Sequence, residues 1–276
     1  MTDERRNARR RLDLEVVRRG LAESRTRAAA LISAGRVLVD GRPERRPGAE
    51  TGSGHVTLRA DPSAGDRSGP LEEPFASRAG AKLSGALDAW PDVPVAGARC
   101  LDAGASTGGF TDVLLRRGAA HVAAVDVGHG QLRPHLRADP RVTVLEGHNV
   151  RELSAGDIGG HVGLTVADLS FISLTLVLRA LIECTTPTGE LVVLVKPQFE
   201  VGRERLGRGG VVREPELRLV AVRAVAQRAG VLGRPAAAAV ASSLPGPAGN
   251  VEYFLRLRAG ATPLSAEVIS GVVLDP

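Results

Sequence analysis

Lys82 and Lys196 are the only lysines in a chain of 276 residues that holds 34 arginines. A guanidinium keeps its proton at any accessible pH, whereas an amine can give up its proton and act as a base. A chain that uses Arg wherever a positive charge suffices marks these two positions as ones that need an amine. Lys196 follows five consecutive apolar residues in LVVLVKPQFE, and Pro197 turns the chain outward there. A lysine so placed has little water to snorkel into. Asp168 closes another apolar run, in VADLSFISL, and brings a carboxylate to the same edge. Lys82 lies in SRAGAKLSGAL, where an ordinary composition would make it a surface residue of a leading helix. Glu252 follows Gly249 and Asn250 in GNVEYFLRLR, at the start of a strand.

The segment LDAGASTGGFTD at 101–112 runs from an apolar stretch into a helical pattern. Gly104, Gly108 and Gly109 allow a backbone to approach a ligand, and Thr107 is placed to begin the helix. The spacing is not GxGxxG and no Lys follows the glycines, so neither the dinucleotide fingerprint nor a phosphate loop is matched. About twenty residues on, Asp126 ends the next run, where an acid can accept both ribose hydroxyls of a nucleoside. A nucleoside without a phosphate demand points to S-adenosylmethionine, with a nicotinamide nucleotide as the rival. Asn149, in EGHNVREL, is placed for an adenine edge or for a loop cap.

These residues need a scaffold that delivers them to one edge. ARCLDAG, HVAAVDVG, RVTVLEG, GLTVADLS and ELVVLVKP each read as a short buried strand, mostly with a helical stretch following. The alternation predicts an α/β fold, a doubly wound parallel sheet covered by helices on both faces. AAAAVASSLPGPAGNVEYFLRLR reads as two strands with no helix between them, an antiparallel hairpin at the sheet edge. The tail ATPLSAEVISGVVLDP is compatible with a short helix.

The front of the chain differs. Residues 1–46 hold 13 Arg and 7 Asp or Glu, while the remainder is close to neutral. Such asymmetry suggests a basic module for a polyanion joined to a near-neutral domain. RLDLEVVRRGLAES and RTRAAALISAG read as two helices, the second capped by Ser24 and closed at Gly35. RVLVDGRP follows as a hairpin turning at Asp40-Gly41, with a further strand over His55 to Leu58. Arg11, Arg18, Arg19, Arg25, Arg27 and Arg36 are the candidate phosphate contacts. We expect a small α+β domain over 1–59, a linker over 60–75 and the larger domain over 76–276.

Composition sets further bounds. Aromatics make up 3%, against a surface of base-stacking platforms. Cys100 and Cys184 are too few for a disulfide framework or a four-cysteine zinc site, and no metal is expected. No apolar run approaches the roughly 20 residues that span a bilayer, so the chain reads as soluble and cytoplasmic, with no membrane partner.

Taken in order, SRAGAK, DAGASTGGFTD, VDVGHGQL, DLSFISL, VKPQFE and GNVEYF resemble the hallmarks of the TlyA or haemolysin A family of ribosomal RNA methyltransferases. The resemblance covers nearly the whole chain. It implies an RNA-binding domain of the ribosomal-protein-S-four type, then a Rossmann-like methyltransferase domain of the FtsJ type. It implies 2′-O-methylation of cytidine ribose in small- or large-subunit ribosomal RNA, with ribosomal subunits as partners. It also implies that Lys82, Asp168, Lys196 and Glu252 form a catalytic tetrad. The cofactor set would be Asp102, Gly104, Ala105, Ser106, Thr107, Gly108, Phe110, Asp126, Asn149 and Asp168. On this reading Lys196 takes the hydroxyl proton, its affinity for protons reduced by Lys82 and partial burial. Asp168 would orient Lys196 and the cofactor, and Glu252 would hold Lys82 or the ribose. Two other readings are a ribosome-binding factor without catalysis and a membrane-lysing haemolysin.

Overall fold

The structure, a computed structural model, describes residues 10–19, 21–22, 25–33, 35–51, 56–58 and 75–274. The chain divides into two compact units, Met1–Leu71 and Glu72–Pro276.

In the first unit, strand β1 (Arg10–Arg11) leads into helix α1 (Leu12–Arg18), and α2 (Arg25–Ser33) follows. Leu12, Val16, Ala28 and Ile32 are fully buried in one apolar cluster, as their helical spacing requires. Gly35 adopts φ 70° just past α2, a left-handed stop that a Cβ would penalise. β2 (Val37–Val39) and β3 (Arg42–Glu44) form the hairpin, with Asp40 and Gly41 both at positive φ in its two-residue turn. β5 (Val56–Leu58) pairs with the other side of β2. β4 (Glu50–Thr51) pairs with β1, a contact too short to show in any periodicity. Ser24, His55 and the linker up to residue 74 lie outside the described residues.

The second unit runs α3 (Arg78–Ala89), β6 (Arg99–Ala103), α4 (Gly109–Arg116), β7 (His121–Asp126), α5 (Pro134–Arg137) and β8 (Val142–Glu146). It continues through β9 (Val162–Ala167), α6 (Leu174–Cys184), β10 (Thr185–Val195), α7 (Pro197–Glu200) and α8 (Pro215–Val231). β11 (Ala236–Ala241), β12 (Tyr253–Arg258) and α9 (Ala266–Leu274) complete it. The strands form one seven-stranded sheet in the order β11-β12-β10-β9-β6-β7-β8. β12 is antiparallel to both neighbours, while the other pairings are parallel.

Strand residues alternate between two cores. Cys100, Val122, Leu164, Val192 and Phe254 pack with Leu83, Leu87 and Phe110 from α3 and α4. Leu101, Ala123, Val193 and Leu255 pack with Val177, Leu181, Val222 and Val225 from α6 and α8. Each fully buried Leu or Val contributes roughly 1.5–3 kcal/mol by leaving water. The tail helix α9 joins the second core through Ile269 and Val273. Both cysteines are buried and free; burial pushes Cys100 up to about 12 and Cys184 up to about 11, so both stay as inert thiols.

Chain direction sets the site. From β6 the chain moves outward through β7 and β8, then returns to β9 on the other side of β6. Ligands bind in open α/β sheets outside the carboxyl ends of the strands at such a switch point. Two local expectations shift. α4 starts at Gly109 because Gly108 must first turn at φ 96°, leaving Thr107 in the turn. Glu252 is the last loop residue before β12, which starts at Tyr253.

Candidate active site

A cavity of about 460 Å³ opens at the switch point, walled by the turns after β6, β7, β8 and β9. Gly104, at φ 87°, forms its floor; a Cβ there would stand 2.6 Å from the Asp168 carbonyl oxygen. The turn after β6 is thus drawn against the turn after β9, and only glycine permits it. Asp126 is fixed from both sides. Its Oδ2 accepts from Ser106 N at 2.8 Å and its Oδ1 from Gly128 N at 2.7 Å. Each oxygen keeps a further lone pair for a ligand. Asn149 caps the short turn Val150–Glu152, accepting from Arg151 N, and lines the cavity as well.

Three polar lining residues, Gln131, His148 and Ser170, were not singled out in the sequence. Gln131 accepts from Ser106 Oγ at 3.1 Å, and its place within VDVGHGQL was the available signal. Of the candidate cofactor set, Gly104, Ser106, Asp126, Asn149 and Asp168 line this cavity. Ala105 lines a small neighbouring void with Ser106 and Asp126. Phe110 instead sits in the core, 6.1 Å from Phe254 between ring centroids. Thr107 and Gly108 shape the turn, with a Gly108 Cβ blocked by Leu136. Asp102 is fully buried beneath the turn; its Oδ2 accepts from Thr111 Oγ1 at 2.7 Å, and its Oδ1 has no hydrogen-bond partner among the described residues. Burial pushes its carboxyl up to about 7, with the Thr111 hydrogen bond opposing and the Asp168 charge adding.

The four residues of the expected tetrad come in two ion pairs. Lys82 Nζ lies 2.6 Å from Glu252 Oε2, with side chains 8% and 1% exposed. Lys196 Nζ lies 2.6 Å from Asp168 Oδ1, off the line of a good hydrogen bond, and donates to Ser170 Oγ at 2.9 Å. Gln198, two residues after Lys196, donates to Glu252 Oε1 at 3.4 Å and so joins one pair to the turn of the other. Its own Oε1 is buried and has no hydrogen-bond partner among the described residues. Neither the surface reading of Lys82 nor a solvated Glu252 fits this burial. Each lysine meets a carboxylate as its nearest charge.

Backbone approaches fix the pairs. α3 and α4 cross at Gly80 and Gly109, where a Cβ on Gly109 would lie 2.9 Å from Gly80 N. This crossing sets the depth of Lys82, two residues along α3. Glu200 reaches from α7 to the start of α6, accepting from Ser173 Oγ at 2.6 Å and Leu174 N at 2.8 Å. Its carboxyl is raised by burial, with these two hydrogen bonds opposing. Phe171, at φ 65° and 92% exposed, sets its ring tilted against that of Phe199, 5.2 Å between centroids. The turns carrying Asp168 and Lys196 are therefore laced together along their length.

In the first unit, Arg11 pairs with Asp13, and Arg18 and Arg19 both pair with Glu15. The two arginine hydrogen bonds hold Glu15 down at about 2. Arg11 and Arg18 nonetheless remain more than half exposed. Arg36 has an interaction within the chain, and the side chains of Arg25 and Arg27 lie outside the description.

Comparison with known proteins places this geometry. The FtsJ-like methyltransferase family matches residues 75–259 and the S4 domain family residues 10–56. The chain is 56% identical over 248 residues to the 16S/23S rRNA (cytidine-2′-O)-methyltransferase TlyA of Mycobacterium tuberculosis, covering 90% of this chain and 89% of that one. It is 34% identical over 245 residues to Hemolysin A of Brachyspira hyodysenteriae, covering 88% and 98%. A solved hemolysin-type structure from Streptococcus thermophilus superposes with a TM-score of 0.74 at 34% identity, covering 98% of this chain and 96% of that one. Among the described residues no helix is long and apolar enough to cross a membrane. The chain is a methyltransferase and belongs to the TlyA/haemolysin A family, an S4 domain followed by an FtsJ-like methyltransferase domain.

Proposed function

We propose that the protein transfers the methyl group of S-adenosylmethionine to the 2′-hydroxyl of cytidine ribose in ribosomal RNA of the small or large subunit. The observation that carries this reading is the pair of lysine–carboxylate contacts joined to a glycine-floored cavity at one sheet edge. The residues present suit that cofactor. Among the described residues, the cavity wall includes two carboxylates, Asp126 and Asp168, and no Lys or Arg. That lining suits a cationic nucleoside and would repel a dinucleotide's phosphates, which disfavours the nicotinamide alternative. Val127, Leu169 and Ile172 supply apolar wall for a flat base.

When bound, the cofactor supplies a methyl group on a sulfonium that is already an excellent leaving group. The chain must align a ribose hydroxyl and remove its proton. Gly104 and Asp126 hold the adenosyl end, the latter through the lone pairs left after Ser106 N and Gly128 N. Lys196 takes the hydroxyl proton. Asp168, paired with Lys196, would also face the sulfonium of the bound cofactor and so orient both. Lys82, held by Glu252, offers an ammonium to the ribose oxygens. The basic first unit adds affinity through phosphates and RNA shape.

Lys196→Arg keeps the charge and removes the base. Expected is a loss of methyl transfer to ribosomal RNA of roughly 100-fold or more, with cofactor still bound. Near-normal turnover in that variant would rule out the assignment of Lys196 as base. Mapping 2′-O-methyl groups in ribosomal RNA with and without the protein identifies the nucleotide.

A further inference from the structure

We infer that Gln131 is a specificity-determining residue for the cofactor: its carboxamide nitrogen donates to a ribose hydroxyl of the adenosyl group, beside the Asp126 carboxylate that accepts the hydroxyl protons. This rests on the reading of the cavity as an adenosyl site with Asp126 at the sugar.

A vicinal diol asks for both kinds of partner, since each hydroxyl carries one proton to give and two lone pairs that accept. A carboxylate only accepts, so Asp126 takes the protons and leaves the hydroxyl oxygens without a donor. Ser106 cannot supply one. Its backbone N–H is spent on Asp126 Oδ2 at 2.8 Å and its hydroxyl on Gln131 Oε1 at 3.1 Å. Gly128 N is spent on Asp126 Oδ1 at 2.7 Å. The Gln131 carboxamide has the opposite balance: its oxygen is engaged by Ser106, while Nε2 has no hydrogen-bond partner among the described residues. Of the side chains that the turns after β6 and β7 bring to the cavity, Gln131 is the one with N–H groups to give.

A carboxamide can be turned over without changing its outline, and Asp126 decides between the two settings. A Cβ built on Gly128 would lie 1.8 Å from Gln131 Nε2 and 3.1 Å from Asp126 Oδ1. The amide end at that place therefore stands close to a carboxylate, which attracts an N–H and repels a carbonyl oxygen. The same approach explains why position 128 is glycine. Its backbone lies outside the left-handed region, so what matters there is space: the carboxamide occupies the place where a side chain would begin. The chain on either side holds Gln131 in position. Gly130 N donates to Glu146 Oε1 at 2.8 Å, Leu132 is buried against Gly108, and Arg133 N donates to Thr107 O at 3.2 Å. Ser106 sits at φ 47°, an uncommon setting for a residue with a side chain, and from there it reaches Asp126 and Gln131 at once.

Isothermal titration of the full-length protein with S-adenosylhomocysteine, and with its 2′-deoxy and 3′-deoxy analogues, tests this. These ligands lack the sulfonium charge, so added negative charge on the protein brings no attraction to that centre. Gln131→Ala should weaken S-adenosylhomocysteine roughly five- to tenfold, the worth of one hydrogen bond. It should leave unchanged the affinity for the analogue that lacks the bonded hydroxyl. Gln131→Glu, of nearly the same shape, exchanges the donor for a second carboxylate beside Asp126 and should weaken binding at least as far. Wild-type affinity in either variant overturns the inference. So does a loss in Gln131→Ala that is equal for all three ligands, which is what a mere support for Ser106 would give. Asp126→Ala reports on the site itself and should weaken S-adenosylhomocysteine more than Gln131→Ala does. No binding by the parent chain, or wild-type affinity in Asp126→Ala, overturns the reading of the sugar end and this inference with it.

Discussion

Lys82 Nζ and Glu252 Oε2 meet at 2.6 Å in an almost fully enclosed site, joining a helix that precedes the sheet to the loop that leads into β12. Removing one partner strands the other's charge away from water, which costs about 3–5 kcal/mol. Glu252→Ala should therefore lower the thermal midpoint of the methyltransferase unit markedly and abolish transfer. The double change Lys82→Met with Glu252→Leu should recover much of the stability and none of the activity. Calorimetry of the three variants beside a methyl-transfer assay checks this; equal stability of single and double variants would speak against a paired buried charge.

A second expectation concerns a glycine with no ligand of its own. A Cβ on Gly246 would stand 2.5 Å from Glu252 Oε1. Gly246→Ala must push that carboxylate aside, loosening its hold on Lys82 and Gln198. Methyl transfer should fall at least about tenfold while the fold survives, since overpacking of this kind costs roughly 1–3 kcal/mol. Unchanged kinetics would mean that the Glu252 side chain tolerates displacement.

Asp102 gives a pH signature. Burial raises its carboxyl to about 7 in the folded chain, against about 4 when unfolded. The folded state therefore holds a proton that the unfolded state releases over that window. Its stabilising contribution is whole below about pH 4 and is lost as pH rises through about 7. Asp102→Asn keeps an acceptor for Thr111 and removes the titration. Denaturant melts at pH 5 and 7.5 should show the parent losing on the order of 3 kcal/mol more than the variant. Equal losses would show that the carboxyl titrates near its ordinary value.

The basic module should be separable from the chemistry. Deleting residues 1–58 removes the excess positive charge of the chain, all of which lies in residues 1–46. The remaining protein should bind cofactor but fail on ribosomal particles, and its residual RNA affinity should fall less steeply with salt. Filter binding across a salt series measures the slope; full methylation of subunits by the truncated chain would assign the module some other task.

Much of this is legible in the sequence. Each of the five apolar runs forms a strand paired in parallel because period and length agree there, although β8, at the sheet edge, is mostly half-buried, and the hairpin at the other edge follows from two strand-like runs with no helix between them. Lys82 and Lys196 could be singled out because the composition leaves no other lysines. What stayed hidden was contact across the chain. Ser170, Gln198 and Glu200 each act through a partner reached only after the sheet has formed, and no periodicity encodes such a meeting. Phe110 shows the converse: a motif residue close in sequence to the cofactor loop is turned into the core by the helix that starts beside it.

The enclosure of both lysine side chains, 8% and 11% exposed, also gives a chemical readout of the site. An amine-directed acylating reagent finds no other lysine to modify, so mass addition beyond the chain terminus counts opening of the cleft. Adenosyl ligands can be ranked by how far they slow that labelling, without any radioactive methyl donor.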